Sequence, residues 1–360
     1  MQFQTEISYD IDKSLWDDAL LLNPASTAFQ FSDFYLPHQL TWQSKPVFIT
    51  ILNPTGKIAG QLSGVIHLTN HWRESNTASR FFNSRFNLDS MLRWEHGPII
   101  HDPDHTSEIL DNIFSAIDKI AYQHDLTLAY GTSAPQAEQF PANYFQKNGY
   151  TVRPWITYIT DLQRNTDEIF QDLNKKTRYD IHKGEKSNLE FEILSDKESL
   201  NAYFEIKFAK NTTQKFNRYK ELHEHLWDKL FHKGYEKIFL AKDNGKLQAA
   251  IINFLFNGNI WQSEVANSTI QNRYSGSFLT WNTIRWSAEN NFKTYDLGGA
   301  NPFPVSEKEK GISLFKSKWV SKKVEYFLFT KVYNTTKLNL SNIFRFRQAY
   351  NKIKSVKYSE

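Results

Sequence analysis

The chain has 360 residues, 40% of them hydrophobic and 23% charged, which excludes a disordered chain and gives room for two domains with a core each. Cysteine is absent, so disulfides, thiolate catalysis and Cys-ligated zinc are excluded. The net charge of +4 is uneven: seven Lys/Arg follow residue 330 against one acid, Glu360, and the body before them is close to neutral.

Met1 to Glu6 lack the basic-then-apolar build of a signal peptide. No run approaches the ~18 apolar residues of a membrane span. The expectation is a cytoplasmic protein. Pro46 to Leu52 reads as a strand, Asn53 to Lys57 as a turn, and Ile58 to Leu68 as the returning strand. The polar stretch from His101 to His105 reads as a proline-containing loop rather than a metal cluster. Thr106 to His124 carries apolar residues at 109, 110, 113, 114, 117 and 120, a helical stripe, and Leu126 to Tyr130 reads as the next strand.

A helix is expected over about 166–187. Phe170, Leu173, Thr177 and Ile181 line one face, Lys175, Arg178 and His182 the opposite one, with Lys176 and Lys183 between. Such a basic face is either solvated or a phosphate site. Ile238–Lys242, Leu247–Phe256 and Ile260–Ala266 form a meander, with Asn-Gly turns at 244–245 and 257–258. Alternation in the third strand groups Gln262, Glu264 and Ala266 on one face. Gln271 to Ser277 then leads into a helix, Gly276 to Asn290. Thr294–Leu297 is a strand closed by Gly298-Gly299, and Ser313–Trp319 a short helix carrying Lys316. The tail repeats apolar residues (Leu340, Ile343, Phe346, Tyr350, Ile353) among Arg345, Arg347, Lys352 and Lys354. It is expected to be an amphipathic basic helix, docked on its own domain or lying on an anionic membrane at the inner face.

Meander, helix, strand is an α/β order, and it occurs twice. The expected domains are 1–157 and 158–333, with a tail at 334–360. There is no Walker loop, no G-x-G-x-x-G and no G-x-S-x-G elbow.

Three phrases in order carry a resemblance. Leu173-Asn174-Lys175-Lys176-Thr177-Arg178-Tyr179-Asp180-Ile181-His182-Lys183, Tyr295-Asp296-Leu297-Gly298-Gly299 and Gly311-Ile312-Ser313-Leu314-Phe315-Lys316 together resemble the FemAB/FemX aminoacyltransferases of the GNAT superfamily. The resemblance covers roughly 155–330. It implies two tandem GNAT-like domains, each a mixed, mostly antiparallel sheet flanked by helices, the first a degenerate copy. It implies transfer of an aminoacyl or acyl group to an amine of a cell-envelope or glycan precursor. No long helical-hairpin insertion of the kind some cell-wall members carry is present.

Acyl transfer needs donor placement, removal of the amine proton and stabilisation of an oxyanion. By resemblance, Glu264 is the general base, with a solvated edge residue as the competing reading. Asp296 lies in the site or caps the next loop. The resemblance implies that Lys316 serves the oxyanion or a phosphate, against a surface lysine among Lys308, Lys310 and Lys318. Lys175, Arg178 and Lys183 are candidates for phosphate, and Gly298 and Gly299 for close backbone approach. The resemblance implies that Arg273, Ser275, Gly276 and Ser277 offer backbone N–H groups to the pyrophosphate of coenzyme A, with Phe278 standing where a second Gly or Ala is expected; a plain helix N-terminus with a serine cap is the competing reading. The donor is aminoacyl-tRNA or acyl-CoA, and no metal is implied. The partners expected are an amine on a glycan, peptide or lipid-linked precursor and, with the first donor, tRNA; no DNA is implied. A different class also stays open: a non-catalytic GNAT-like module holding a polyanionic partner on the 175–183 helix and the tail.

Overall fold

The structure, a computed structural model, describes residues 3–38, 44–68, 86–135, 142–197, 199–208, 214–268, 272–319 and 322–342. In chain order the strands and main helices begin with β1 (Gln4–Ser8), α1 (Lys13–Leu21), α2 (Ser32–Tyr35), β2 (Ser44–Leu52) and β3 (Ile58–His67). Then come β4 (Met91–Arg93), β5 (Ile99–Ile100), α3 (Thr106–Gln123), β6 (Leu128–Thr132), α4 (Ala142–Lys147) and β7 (Thr151–Asp161). The second half adds α5 (Thr166–Asp172), α6 (Lys175–Glu185), β8 (Leu189–Ile193), α7 (Ser199–Phe208), α8 (Gln214–Leu226), β9 (Glu236–Asp243) and β10 (Lys246–Phe256). It closes with β11 (Asn259–Asn267), α9 (Ser275–Glu289), β12 (Thr294–Asp296), α10 (Glu307–Lys316) and β13 (Lys322–Val332). Among the described residues no helix is long and apolar enough to cross a membrane.

The chain divides into two units, one of residues 1–153 with 327–360 and one of residues 154–326. The division departs from the expected 158–333 domain because the end of β13 pairs antiparallel with β6, Leu328 facing Thr132 and Val332 facing Leu128. The expected amphipathic tail lies outside the described residues beyond Asn342.

In the first unit β1, β2 and β3 are antiparallel, β3 pairs β4 antiparallel, and β4 pairs β6 parallel. The turn between β2 and β3 forms because Asn53 Oδ1 accepts from Thr55 and Lys57 N–H, and Gly56 takes a φ of +78°. Val47, Ile49 and Ile51 face the α3 stripe, where Ile109, Ile113, Phe114, Ile117 and Ile120 are all buried. Each such side chain contributes about 1.5–3 kcal/mol by burial. The other face of β2 meets α1, where Trp16 lies edge-on to Phe48, ring centroids 5.1 Å apart.

In the second unit β8, β9, β10 and β11 are antiparallel, β11 pairs β12 parallel, and β12 pairs β7 antiparallel. Both expected Asn-Gly turns form, with φ of +48° and +74° at Asn244 and Gly245 and +49° and +77° at Asn257 and Gly258. The helix α9 packs on one face, against β9, β10 and α6, while α7 packs against β10 and β11.

The expected single helix over 166–187 is two. Leu173 and Asn174 are extended, and the Asn174 carboxamide caps α6 by accepting from Thr177 N at 2.8 Å. Capping satisfies an otherwise orphaned N–H, which a continuous helix would not require of an asparagine. Of the faces expected for it, Leu173, Thr177 and Ile181 are buried and Lys175, Lys176, His182 and Lys183 exposed, while Phe170 and Arg178 are half-buried. α10 also starts earlier than expected, because Ser306 and Glu309 form a reciprocal capping box at its first turn.

Candidate active site

The site is organised by one irregularity in β11. Asn253 pairs with Gln262 and Ile252 with Glu264, so Ser263 is an extra residue on β11. Directly opposed residues share a face. Asn253 and Ile252 point opposite ways, and Gln262 and Glu264 therefore do too. The expected grouping of Gln262 with Glu264 is corrected by this bulge. Gln262 belongs with Asn253 and with the Tyr295 hydroxyl, which donates to both at 2.9 and 3.1 Å. Glu264 belongs to the other face.

Following the register across that other face, Glu236 opposes Phe254, Phe254 opposes Trp261, Trp261 opposes Asp296, and Asp296 opposes Ile159. Glu264 stands one step along, opposite Ile252. Three carboxyl groups thus share one face of the second unit, in three different environments.

Asp296 is fully buried and accepts from the Thr157 hydroxyl and from Gly298 N at 2.7 Å. Burial raises its carboxyl to about 6, against the pull of those bonds and of Lys316. The β11–β12 ladder stops at this residue, and the chain turns at Gly298 with φ +77°. A Cβ on Gly298 would also sit 2.7 Å from the Gln262 carbonyl oxygen, so glycine is required there twice over. A Cβ on Gly299 would lie 2.3 Å from the Tyr326 hydroxyl and 2.4 Å from Trp155 Nε1, which flank the turn. Neither aromatic residue was singled out from the sequence. They lie 171 positions apart in the chain, at 155 and 326, and no local pattern marks them.

Lys316, at the end of α10, reaches this turn. Its Nζ donates to the carbonyls of Gly298 at 2.8 Å and Gly299 at 2.9 Å. Burial lowers its ammonium to about 8, with Asp296 opposing. An ammonium has three donors, so one is left for a ligand. Asp296, Gly298, Gly299 and Lys316, all expected from the sequence, are therefore brought together.

Glu264 is held differently. Its Oε2 accepts from Tyr203 at 3.0 Å, from Tyr219 and from Lys207 at 2.7 Å, and His223 Nε2 lies 3.8 Å from Oε1. Burial alone would raise this carboxyl, but His223 and then Lys207 outweigh it and hold it well below the usual carboxylate range. Burial first, and then the Glu264 charge among the neighbouring groups, push both tyrosines well above the ordinary phenol value. Glu236 is the third carboxyl: fully buried, it is raised to about 8 by burial and by Glu264.

Glu236 carries a testable linkage. Its folded value lies above the ordinary 4.5, so between about 4.5 and 8 the unfolded chain loses a proton that the folded chain keeps. Stability attributable to this group is therefore lost as pH rises through that window. Glu236→Gln is expected to stabilise the protein on the order of 1–3 kcal/mol at pH 8 and much less at pH 5. Urea midpoints at both pH values measure this, and a pH-independent difference would contradict it.

The remaining expected residues form a second group. The last turn of α6 lies against the first turn of α9, where a Cβ on Gly184 would sit 2.8 Å from Phe278 Cβ. Phe278, unexpected at its position, fills the space that Gly184 leaves. Lys175 and Lys183 are exposed, the latter 5.5 Å from the Tyr179 ring centroid. Arg178 is partly committed, since its guanidinium donates to the carbonyls of Gln171 and Leu173 at the end of α5. The loop before α9 is pinned by Asn272 N donating to Gln248 at 3.0 Å and by Tyr274 N donating to the Asn272 side chain at 3.1 Å. Arg273 stacks on Tyr274 and is exposed. The first turn of α9 has no side-chain cap, the buried Ser275 hydroxyl makes no hydrogen bond, and the space beside Gly276 is open. Ser277 follows on that turn. Gln271 lies outside the described residues.

Against this geometry, residues 171–307 match the family described as Acetyltransferase (GNAT) domain. The second unit thus carries a GNAT acetyltransferase domain, and the protein is an acyltransferase. No curated protein matches the chain. Among solved structures, FemX is 13% identical with a TM-score of 0.68, over 94% of this chain and 99% of that one. A tandem GNAT protein from the clavulanic acid biosynthesis pathway is 10% identical at 0.58, over 93% and 100%. The C-terminal domain of a putative lysylphosphatidylglycerol synthetase from Agrobacterium fabrum is 13% identical at 0.56, over 94% and 96%. At such low identity these likenesses show the fold alone: two tandem GNAT-like domains, each a mostly antiparallel sheet flanked by helices.

Proposed function

We propose that the second unit transfers an aminoacyl or acyl group to an amine of a cell-envelope or glycan precursor, in the manner of the FemAB enzymes. The observation that carries the chemistry is the pair Asp296 and Lys316 around the Gly298-Gly299 turn. A carboxyl near 6 is ionised at neutral pH yet basic enough to take an amine proton, and an ammonium near 8 is still charged. In this reading the acceptor nitrogen bonds to the donor carbonyl carbon and its proton passes to Asp296. The free donor of Lys316 stabilises the oxyanion. The intermediate then expels the donor's oxygen or sulfur, which leaves with a proton.

Glu264 suits the base role less well, because its carboxylate is depressed and already accepts three hydrogen bonds. It serves better as the clamp joining Tyr203, Lys207 and Tyr219 to β11. The basic residues of α6, Lys175 and Lys183 foremost, are then placed for a phosphate of donor or acceptor.

The uncapped start of α9 favours a second reading of the donor. The N–H groups of Gly276 and Ser277 and the exposed Arg273 suit a pyrophosphate, as in acyl-CoA, with an amino sugar or small amine as acceptor. The two readings separate by donor consumption. The protein is incubated with charged bulk tRNA and, separately, with a panel of acyl-CoAs, an envelope-precursor extract supplying acceptors. Consumption of charged tRNA that disappears in Lys316→Ala supports the first reading. Consumption of a thioester supports the second. Neither, with an adequate acceptor pool, overturns the acyl-transfer assignment to this site.

A further inference from the structure

The first unit holds a cavity of about 1210 Å³ that the acyl-transfer chemistry of the second unit does not use. Its floor is the face of the sheet that α1 covers only in part, from Glu6 on β1 across Leu52 on β2 to Ile58 on β3. Its wall is α1 itself. The helix carries two adjoining stripes. Trp16 and Leu20 are buried in the core. Leu15, Asp18, Ala19 and the C-capping Leu22, at helical steps of three and four, line the cavity together with Trp16, which closes it towards the core. Leu15 and Leu22 remain 65% and 86% exposed. From the first to the last of these runs roughly 10 Å at the helical rise, an uncovered apolar stripe about two turns long.

Charge says what fits it. The lining carries four carboxylates, Glu6, Asp10, Asp12 and Asp18, against one cation, Lys57. His101 adds none near neutral pH, since burial lowers its imidazole to about 4. Asp12 is committed to capping α1, whereas Asp18 is exposed beside the leucines. Anionic lipid and nucleic acid are opposed by this sign, and a purely apolar ligand gains nothing from it. The size exceeds that of a single amine.

We propose that this groove binds a peptide segment in which lysine or arginine alternates with apolar side chains. The apolar side chains lie along Leu15 and Leu22, and the cations meet Asp18 and the other rim carboxylates.

Fluorescence anisotropy on the full chain tests it, with a fluorescein-labelled hexapeptide of alternating leucine and lysine and the same peptide with every lysine acetylated. Saturable binding is expected, at least tenfold weaker for the acetylated peptide and at least tenfold weaker in both Asp18→Lys and Leu22→Ser. Both substitutions are at exposed positions, and an unchanged melting curve verifies the fold. Glu190→Lys, on the second unit, is expected to leave binding unchanged. Three results would overturn the assignment: no saturable binding, equal binding of the acetylated peptide, or binding that survives both groove substitutions.

Discussion

Asp296→Asn is expected to lower kcat by about 10²–10⁴-fold at neutral pH, the range for loss of a positioned proton acceptor. The amide oxygen can still accept from Thr157 and from Gly298 N–H, so the turn keeps its hydrogen bonds and the melting temperature should not fall. The pH profile makes the assignment sharper. Asp296 takes a proton only when ionised, above about 6, and Lys316 stabilises an oxyanion only when charged, below about 8. The wild-type kcat/KM should therefore form a plateau between those values and fall on both sides. The two limbs belong to the interacting pair rather than to either group alone. Asp296→Asn should lose the acid limb from its residual activity, and Lys316→Met the alkaline one. A wild-type rate that stays level from pH 5 to pH 7 would remove Asp296 from the role.

The largest effect on stability is expected in the first unit, at Gly131. A Cβ at this position on β6 would lie 1.8 Å from Trp94 Cε2, with two further ring atoms within 2.3 Å. Trp94 is fully buried, and its indole donates to the Gly97 carbonyl at 3.2 Å, so the ring has nowhere to retreat. Gly131 has no left-handed φ, so space alone sets the cost. Gly131→Ala should destabilise by about 3 kcal/mol or more, the upper end of overpacking effects. Gly276→Ala, with open space around it, is the neutral comparison. Adding Trp94→Leu to Gly131→Ala should recover part of the loss, because removing the ring removes the clash. Denaturant midpoints of the three variants decide the matter, and a Gly131→Ala protein as stable as wild type would contradict the packing described.

The parts of this architecture that were legible beforehand are those where a local pattern dictates geometry. The Asn-Gly turns at 244 and 257 need left-handed backbone, and the apolar stripe of α3 has one period. Asp296, Gly298, Gly299 and Lys316 were legible as a resemblance, and the turn brings them together. What escaped notice depends on partners distant in the chain or on single-residue events. The Ser263 bulge turns Glu264 to the face opposite Gln262, and alternation counting cannot register an inserted residue. Asn174 breaks a helix whose hydrophobic stripe continues through the break. The Ser306-Glu309 capping box was readable but masked by the more apolar stretch after it. Trp155 and Tyr326 meet at Gly299 only because the sheet brings their strands there.

The division of the chain has a consequence for synthesis. The second unit is one unbroken stretch, residues 154–326, whereas the first needs both residues 1–153 and the segment from 327 onward. On a ribosome, the unit begun first is therefore the last to have all its parts. Until β13 emerges, β6 lacks the partner that covers its outer edge, with backbone N–H and C=O groups exposed for pairing elsewhere. A nascent chain stopped short of residue 327 would hold a complete acyltransferase domain beside an unfinished neighbour.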